Sequence, residues 1–131
     1  MINVYPYRGT TKGTGHAEVH NFALSCPYEF FDSSTAQQLT EGAIRGLCAW
    51  EGSRLVGLLT WLPAGVRPYA LLIAIESRTA GGGTQLLREL DKQLTASGTR
   101  HLRVTALQPD STAKMRHLLA KCLTIPHEVV S

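Results

Sequence analysis

Apolar residues gather in short runs along this chain, and the spacing inside each run predicts its element. INVYPY is rich in strand formers and gives way to the turn-rich RGTTKGTG, so a first strand and a link are expected. From His16 to Ser25, HAEVHNFALS puts Val19, Phe22 and Ala23 near one helical face before Pro27 ends the run. DSSTAQQLTEGAIRG offers Ser33 or Ser34 as an N-cap, then Ala36, Leu39, Ala43 and Ile44 at near-helical spacing, which predicts a second helix. Two apolar runs follow, Leu47 to Trp50 and Leu55 to Leu62, joined as a hairpin by the turn residues Glu51 to Arg54. The link PAGVRP leads to YALLIAI, whose continuous apolarity fits a strand covered on both faces in mid-sheet. Beyond a glycine-rich segment, Leu86, Leu87, Leu90 and Leu94 recur at helical spacing. Arg88, Glu89, Asp91 and Lys92 take the other side of that helix, and Gly98 stands at the expected stop. HLRVTAL, His101 to Leu107, alternates as a strand. PDSTAKMRHLLAK starts with Pro109 and an Asp110 or Ser111 cap, and Met115, Leu118 and Leu119 line a face. The tail CLTIPHEVV supplies one short strand, interrupted by Pro126. The order β-α-α-β-β-β-α-β-α-β predicts an α/β protein (an α+β mixed sheet with helices on its faces) in one domain over residues 1–131.

Composition narrows the class. The 131 residues can bury a core without metal or disulfides, and 44% apolar against 18% charged content is that of a folded, soluble domain. No apolar run approaches the roughly 20 residues that span a bilayer, so no membrane segment is expected. The start, MINVYPYRGTTKG, has neither a basic region nor an apolar core of a secretory signal, which makes the cytoplasm the expected compartment. Cys26, Cys48 and Cys122 are odd in number and lack CxxC spacing, so they read as free buried thiols. The net charge of +3 is scattered along the chain, which argues against nucleic-acid binding and suits a small polyanion.

The segment SRTAGGGTQLL concentrates the candidate chemistry. Three consecutive glycines are entropically costly, and they stand where an apolar strand runs into an amphipathic helix. Such a junction aims backbone N–H groups and the positive end of the helix dipole at an anion, with phosphate the natural guest. Arg78 at the entrance could add a charge. Thr84 follows Gly83 without a lysine, so GxxxxGK[ST] is absent; Gln85 and Leu86 after the last glycine rule out GxGxxG.

Arg78, Gly81 and Gly83 do form R-x-x-G-x-G, which resembles the acyl-coenzyme A loop of the GNAT acetyltransferase superfamily. The surroundings LCAWEGSRLVGLLTW and LLIAIESRTAGGGTQLLREL are similar to that family's central hairpin and its strand, loop and helix. The resemblance covers roughly residues 47–121, and before residue 47 only the element order supports it. It implies an acetyl-coenzyme A cofactor whose pyrophosphate rests on the backbone of Arg78, Thr79, Ala80, Gly81, Gly82, Gly83 and Thr84. It further implies that the pantetheine arm lies along Leu71 to Ile75, with Ile73 and Ile75 holding it, in a splayed gap beside His101 to Leu107. The acceptor, an amine on a small molecule or peptide, would attack the thioester directly while a strand N–H near Ile73 stabilises the oxyanion.

The chain also departs from the family pattern. Thr79 and Ala80 stand where a glycine and often a basic residue are usual, and Gly82 replaces a position that is more often apolar. The family's thiolate-protonating tyrosine has His117 nearest in register, a residue type able to act as a general acid near neutral pH or simply to sit half-exposed on a helix. Glu29 and Asp32 in PYEFFDSS fall in the link that shapes the family's acceptor pocket; they could greet a cationic amine or be solvated. Glu76 reads as a base acting through water or as a solvated strand end, and Trp50 and Trp61 as core or interface. His16 and His20 share a helical face without a third ligand, so no metal is expected. The tail has room for about one strand where two are usual, leaving a short sheet edge or one completed by a homodimer partner. The alternative to an N-acetyltransferase is a GNAT-like protein that binds a ligand or a second copy without catalysis.

Overall fold

The structure, a computed structural model, describes residues 1–7, 14–25, 35–105 and 109–130. Its elements follow the expected order: β1 (Ile2–Pro6), α1 (Thr14–Ser25), α2 (Thr35–Glu41), β2 (Arg45–Glu51), β3 (Arg54–Leu62), β4 (Ala70–Ser77), α3 (Gly82–Ala96), β5 (Leu102–Thr105), α4 (Pro109–Cys122) and β6 (His127–Val130). The strands lie side by side in chain order in one six-stranded sheet. β1 to β4 are antiparallel neighbours, whereas β4, β5 and β6 run parallel, joined through α3 and α4. In the β2–β3 hairpin Gly52 takes φ 63 at the first loop position, the pattern of a type II′ turn.

Two apolar layers flank the sheet. On one face Leu86, Leu87, Leu90 and Leu94 of α3, all fully buried, pack with Leu119 of α4 against Leu47, Val56, Leu59, Trp61 and Leu72. Burying each leucine contributes about 2 kcal/mol, which holds α3 and therefore its N-terminus in place. On the other face Val19, Phe22 and Ala23 of α1 and Leu39 of α2 cover Cys48, Leu58 and Ala74. β4 is thus covered on both sides, as its continuous apolar run leads one to expect. No helix among the described residues is long and apolar enough to cross a membrane.

Boundaries differ from expectation at α2 and at the start of α3. α2 ends at Glu41 instead of continuing to Ile44, because Gly42 enters the left-handed region at φ 77 and stops the helix. Gly82 and Gly83 belong to the first turn of α3 and not to the loop. β5 is described from Leu102 to Thr105, beginning one residue after His101, and the end of its expected run, residues 106 and 107, lies outside the described residues. Ser33, Ser34 and Cys26 also lie outside them. Cys48 and Cys122 are free and buried, as expected. The tail forms one strand, β6, parallel to β5, with no strand on its far side among the described residues.

Candidate functional site

A slip in the pleat of β4 builds the site. β3 pairs Trp61 with Leu72 and Thr60 with Ala74, passing over Ile73, which has no partner in that register. The slip also shows in the packing, since Ala70 and Leu72 face the α3 layer, Ile73 and Ala74 the α1 layer, and Ile75 the α3 layer again. Such a β-bulge bends a strand and sharpens its twist. On the other side, among the described residues, β5 pairs with Ala70, Leu71 and Leu72 only. From Ile73 to Ser77 the β5-facing edge of β4 has no strand partner among the described residues; the expected gap beside Ile73 and Ile75 faces residues 106 and 107, which lie outside them.

Beyond the gap the chain turns through Arg78 to Gly81 into α3. Gly81 is the N-cap, at φ 82 in the left-handed region, and no side chain caps the helix. Gly82 N–H donates to the Thr79 carbonyl at 3.3 Å and Gln85 N–H to that of Gly81 at 3.1 Å. The N–H groups of Ala80, Gly81, Gly83 and Thr84 have no hydrogen-bond partner among the described residues. Ser77 shapes the turn, its hydroxyl donating to the Thr79 carbonyl at 3.0 Å and accepting weakly from Thr79 N–H at 3.4 Å. A Cβ on Gly82 would lie 2.2 Å from the Ser77 Oγ, so a side chain there would displace the Ser77 hydroxyl from the turn. A Cβ on Gly83 would make one ordinary contact, with Leu118 of α4 at 3.9 Å, so Gly83 is not required by crowding.

These features fit the pyrophosphate of a coenzyme A. Unpaired amides converge at the positive end of a 15-residue helix, glycine keeps the approach clear, and the buried Thr79 Oγ1 has no hydrogen-bond partner. Two members of the expected cradle are corrected by the geometry. Arg78 N–H is already given to the Val56 carbonyl at 2.8 Å, which continues the β3–β4 ladder by one bond, and Gly82 N–H closes the turn. Nor does the Arg78 side chain reach into the loop. Its guanidinium lies 4.2 Å from the Phe22 ring centroid and donates to the Ser25 hydroxyl, fastening the loop entrance to the C-terminal turn of α1.

His117 is exposed on α4 and makes no hydrogen bond or ion pair with the described residues; α4 comes to the loop through the adjacent Leu118. Glu76 is half-buried opposite Leu58. Glu29 and Asp32 lie outside the described residues. Trp61 is core, and Trp50 is partly buried against the α1 layer. Sequence reasoning missed the Phe22–Ser25 anchor, which joins residues more than fifty positions apart. It also missed Ser77, although a serine two residues before a threonine at a strand end is the pattern of a serine turn.

No protein-family model matches the chain, and no curated protein matches it by sequence. Its fold does match solved structures. A ribosomal-protein-alanine N-acetyltransferase from Brucella melitensis biovar Abortus 2308 superposes with a TM-score of 0.70 at 17% identity, covering 100% of this chain and 99% of that one. A GNAT-family acetyltransferase from Streptococcus pneumoniae gives 0.69 at 19% identity over 92% of this chain and 82% of that one. A Bacillus subtilis acetyltransferase solved with coenzyme A gives 0.64 at 16% identity, over 93% and 75% respectively. The fold expected from the resemblance is therefore the fold observed.

Proposed function

We propose that this chain, which has the fold of GNAT-family acetyltransferases, transfers an acetyl group from acetyl-coenzyme A to an amine of a small molecule or peptide by direct attack. The observation that carries this reading is the continuity of two features among the described residues: a strand edge without a partner from Ile73, and the row of unpaired amides at the start of α3 into which that strand leads. When bound, acetyl-coenzyme A supplies an acyl group already activated as a thioester. Ala80, Gly81, Gly83 and Thr84 hold the pyrophosphate by their N–H groups, and the open edge from Ile73 to Ile75 orients the arm. Much of the acceleration in such a reaction comes from this orientation. Ile73 N–H stabilises negative charge as it develops on the acyl oxygen, a role suited to a fixed donor in a bulge that β3 passes over. His117 would give a proton to the departing sulfur. Glu29 and Asp32 are proposed to receive the amine in its cationic form, which would lose a proton to solvent before the neutral nitrogen attacks, and a homodimer to cover β6.

A panel of amines incubated with acetyl-coenzyme A, with free thiol measured, tests the reading. Turnover is expected with at least one amine, and His117→Ala should lower kcat by about 100-fold or more while leaving the KM for the cofactor unchanged. Binding of acetyl-coenzyme A without thiol release from any amine would replace it with the second reading, a protein of this fold that binds without catalysis. The commitment of Arg78 N–H and Gly82 N–H within the chain favours that second reading, since it leaves fewer donors than R-x-x-G-x-G implies.

A further inference from the structure

We propose a second binding site at the end of the sheet remote from the glycine loop, for a small organic acid whose carboxylate is carried on a flat apolar body. Two adjoining cavities of about 370 and 440 Å³ lie there, both lined by Arg45, Trp61 and Gln93. From Gly83 to Gln93 the rise of α3 is about 15 Å, so this end is well removed from the amide cradle. Pro63, Pro68 and the Trp61 indole supply flat apolar walls, and Arg100 adds a second guanidinium.

Charge selects the ligand. Among the described residues no aspartate or glutamate lines either cavity, and neither Arg45 nor Arg100 has an ion pair. The Arg45 guanidinium lies 5.7 Å from the Trp61 ring centroid, with its fork of donors otherwise uncommitted. Trp61 is only 4% exposed and its Nε1–H has no acceptor, a rare condition for a buried donor. A carboxylate can answer both guanidinium groups, and with a small shift of Arg45 the indole N–H as well. A phosphate dianion suits the place less. The helix ends beside the cavities are the C-termini of α2 and α3, negative poles that oppose a second negative charge, and the Ser97, Gly98 and Thr99 amides are spent on the carbonyls of Gln93, Thr95 and Leu94.

The two tryptophan indole N–H signals in a nitrogen-15 spectrum report on this site, the Trp61 signal being the one retained in Trp50→Phe. Phenylacetate should move that signal saturably. Phenylacetamide, the uncharged isostere, should bind about tenfold more weakly or worse, as should phenylacetate to Arg45→Gln and to Arg100→Gln. Absence of saturable movement, equal response to the amide, or unchanged affinity in both variants would overturn the proposal. Tighter binding of phenyl phosphate than of phenylacetate would overturn the choice of a carboxylate. None of these readouts depends on acetyl transfer.

Discussion

Replacing Gly83 by valine separates what the fold needs from what a ligand needs. Only Leu118 comes near a Cβ at this position, at 3.9 Å, an ordinary contact. Valine is a better helix residue than glycine by a few tenths of a kcal/mol, so the free protein should be unchanged or slightly stabilised. For 131 residues the unfolding entropy is about 0.28 kcal/mol/K, and 1 kcal/mol then moves Tm by about 3.6 °C. The free variant should accordingly melt within about 2 °C of wild type. Acetyl-coenzyme A at about 100 times its Kd adds about 2.7 kcal/mol to wild type, a rise of about 10 °C. In Gly83→Val two methyl groups occupy the space in front of the unpaired amides, and the rise should vanish. Thermal scanning of both proteins with and without the cofactor is the assay. An equal rise in both would remove Gly83 from the binding surface, and no rise in wild type would remove the cofactor. A free variant melting more than about 3 °C lower would show that the space before Gly83 is not open.

Gly82→Ala behaves oppositely: its Cβ drives out the Ser77 hydroxyl and costs about 1–3 kcal/mol, of which Ser77→Ala in the same chain should recover about 1 kcal/mol or more in denaturant titrations; strict additivity would refute the contact. Burial pushes the Cys48 thiol up to about 12, so iodoacetamide at pH 8 should leave it unlabelled in the folded protein and label it in denaturant, as peptide mass mapping would read. The hydrogen bond from Arg103 Nε at 2.7 Å, and after it that from His101, hold the Glu128 carboxyl below its ordinary value. The stability this confers is complete above the ordinary carboxylate range and is lost as pH falls through the lowered value. The Tm difference between wild type and Glu128→Gln should therefore shrink below about pH 4, and a pH-independent difference would contradict the pairing.

The order of elements was legible because most of them are half-buried and show their period. The α3 helix is the clearest case, with four fully buried leucines on one side and charge on the other. The end of α2 was not, since Gly42 fits a helical pattern by position and only its backbone angle, set by the turn into β2, shows that the helix has stopped. The bulge at Ile73 was illegible for a different reason. A slip of one residue is visible in a sequence only if apolar and polar positions alternate, and β4 is apolar on both faces, so moving Ile73 from one layer to the other leaves no trace. The bulge is thus hidden in the run that best identifies the strand.

The three glycines show how far local reading reaches and where long-range structure takes over. Gly81 is accounted for by its own backbone, which at φ 82 would strain any side chain bearing a Cβ. Gly82 is accounted for by a neighbour five residues back, the Ser77 hydroxyl whose place a methyl group would take. Both of these would hold in a turn that binds nothing. Gly83 alone has neither a strained angle nor a crowded Cβ, and it sits in a helix where glycine costs up to about 1 kcal/mol relative to alanine. Its amide and that of Thr84 are also left without partners. A position that is costly, open and unsatisfied in the free protein is accounted for when a ligand occupies it, and the phosphate reading of the loop therefore rests on Gly83 more than on the glycine run as a whole.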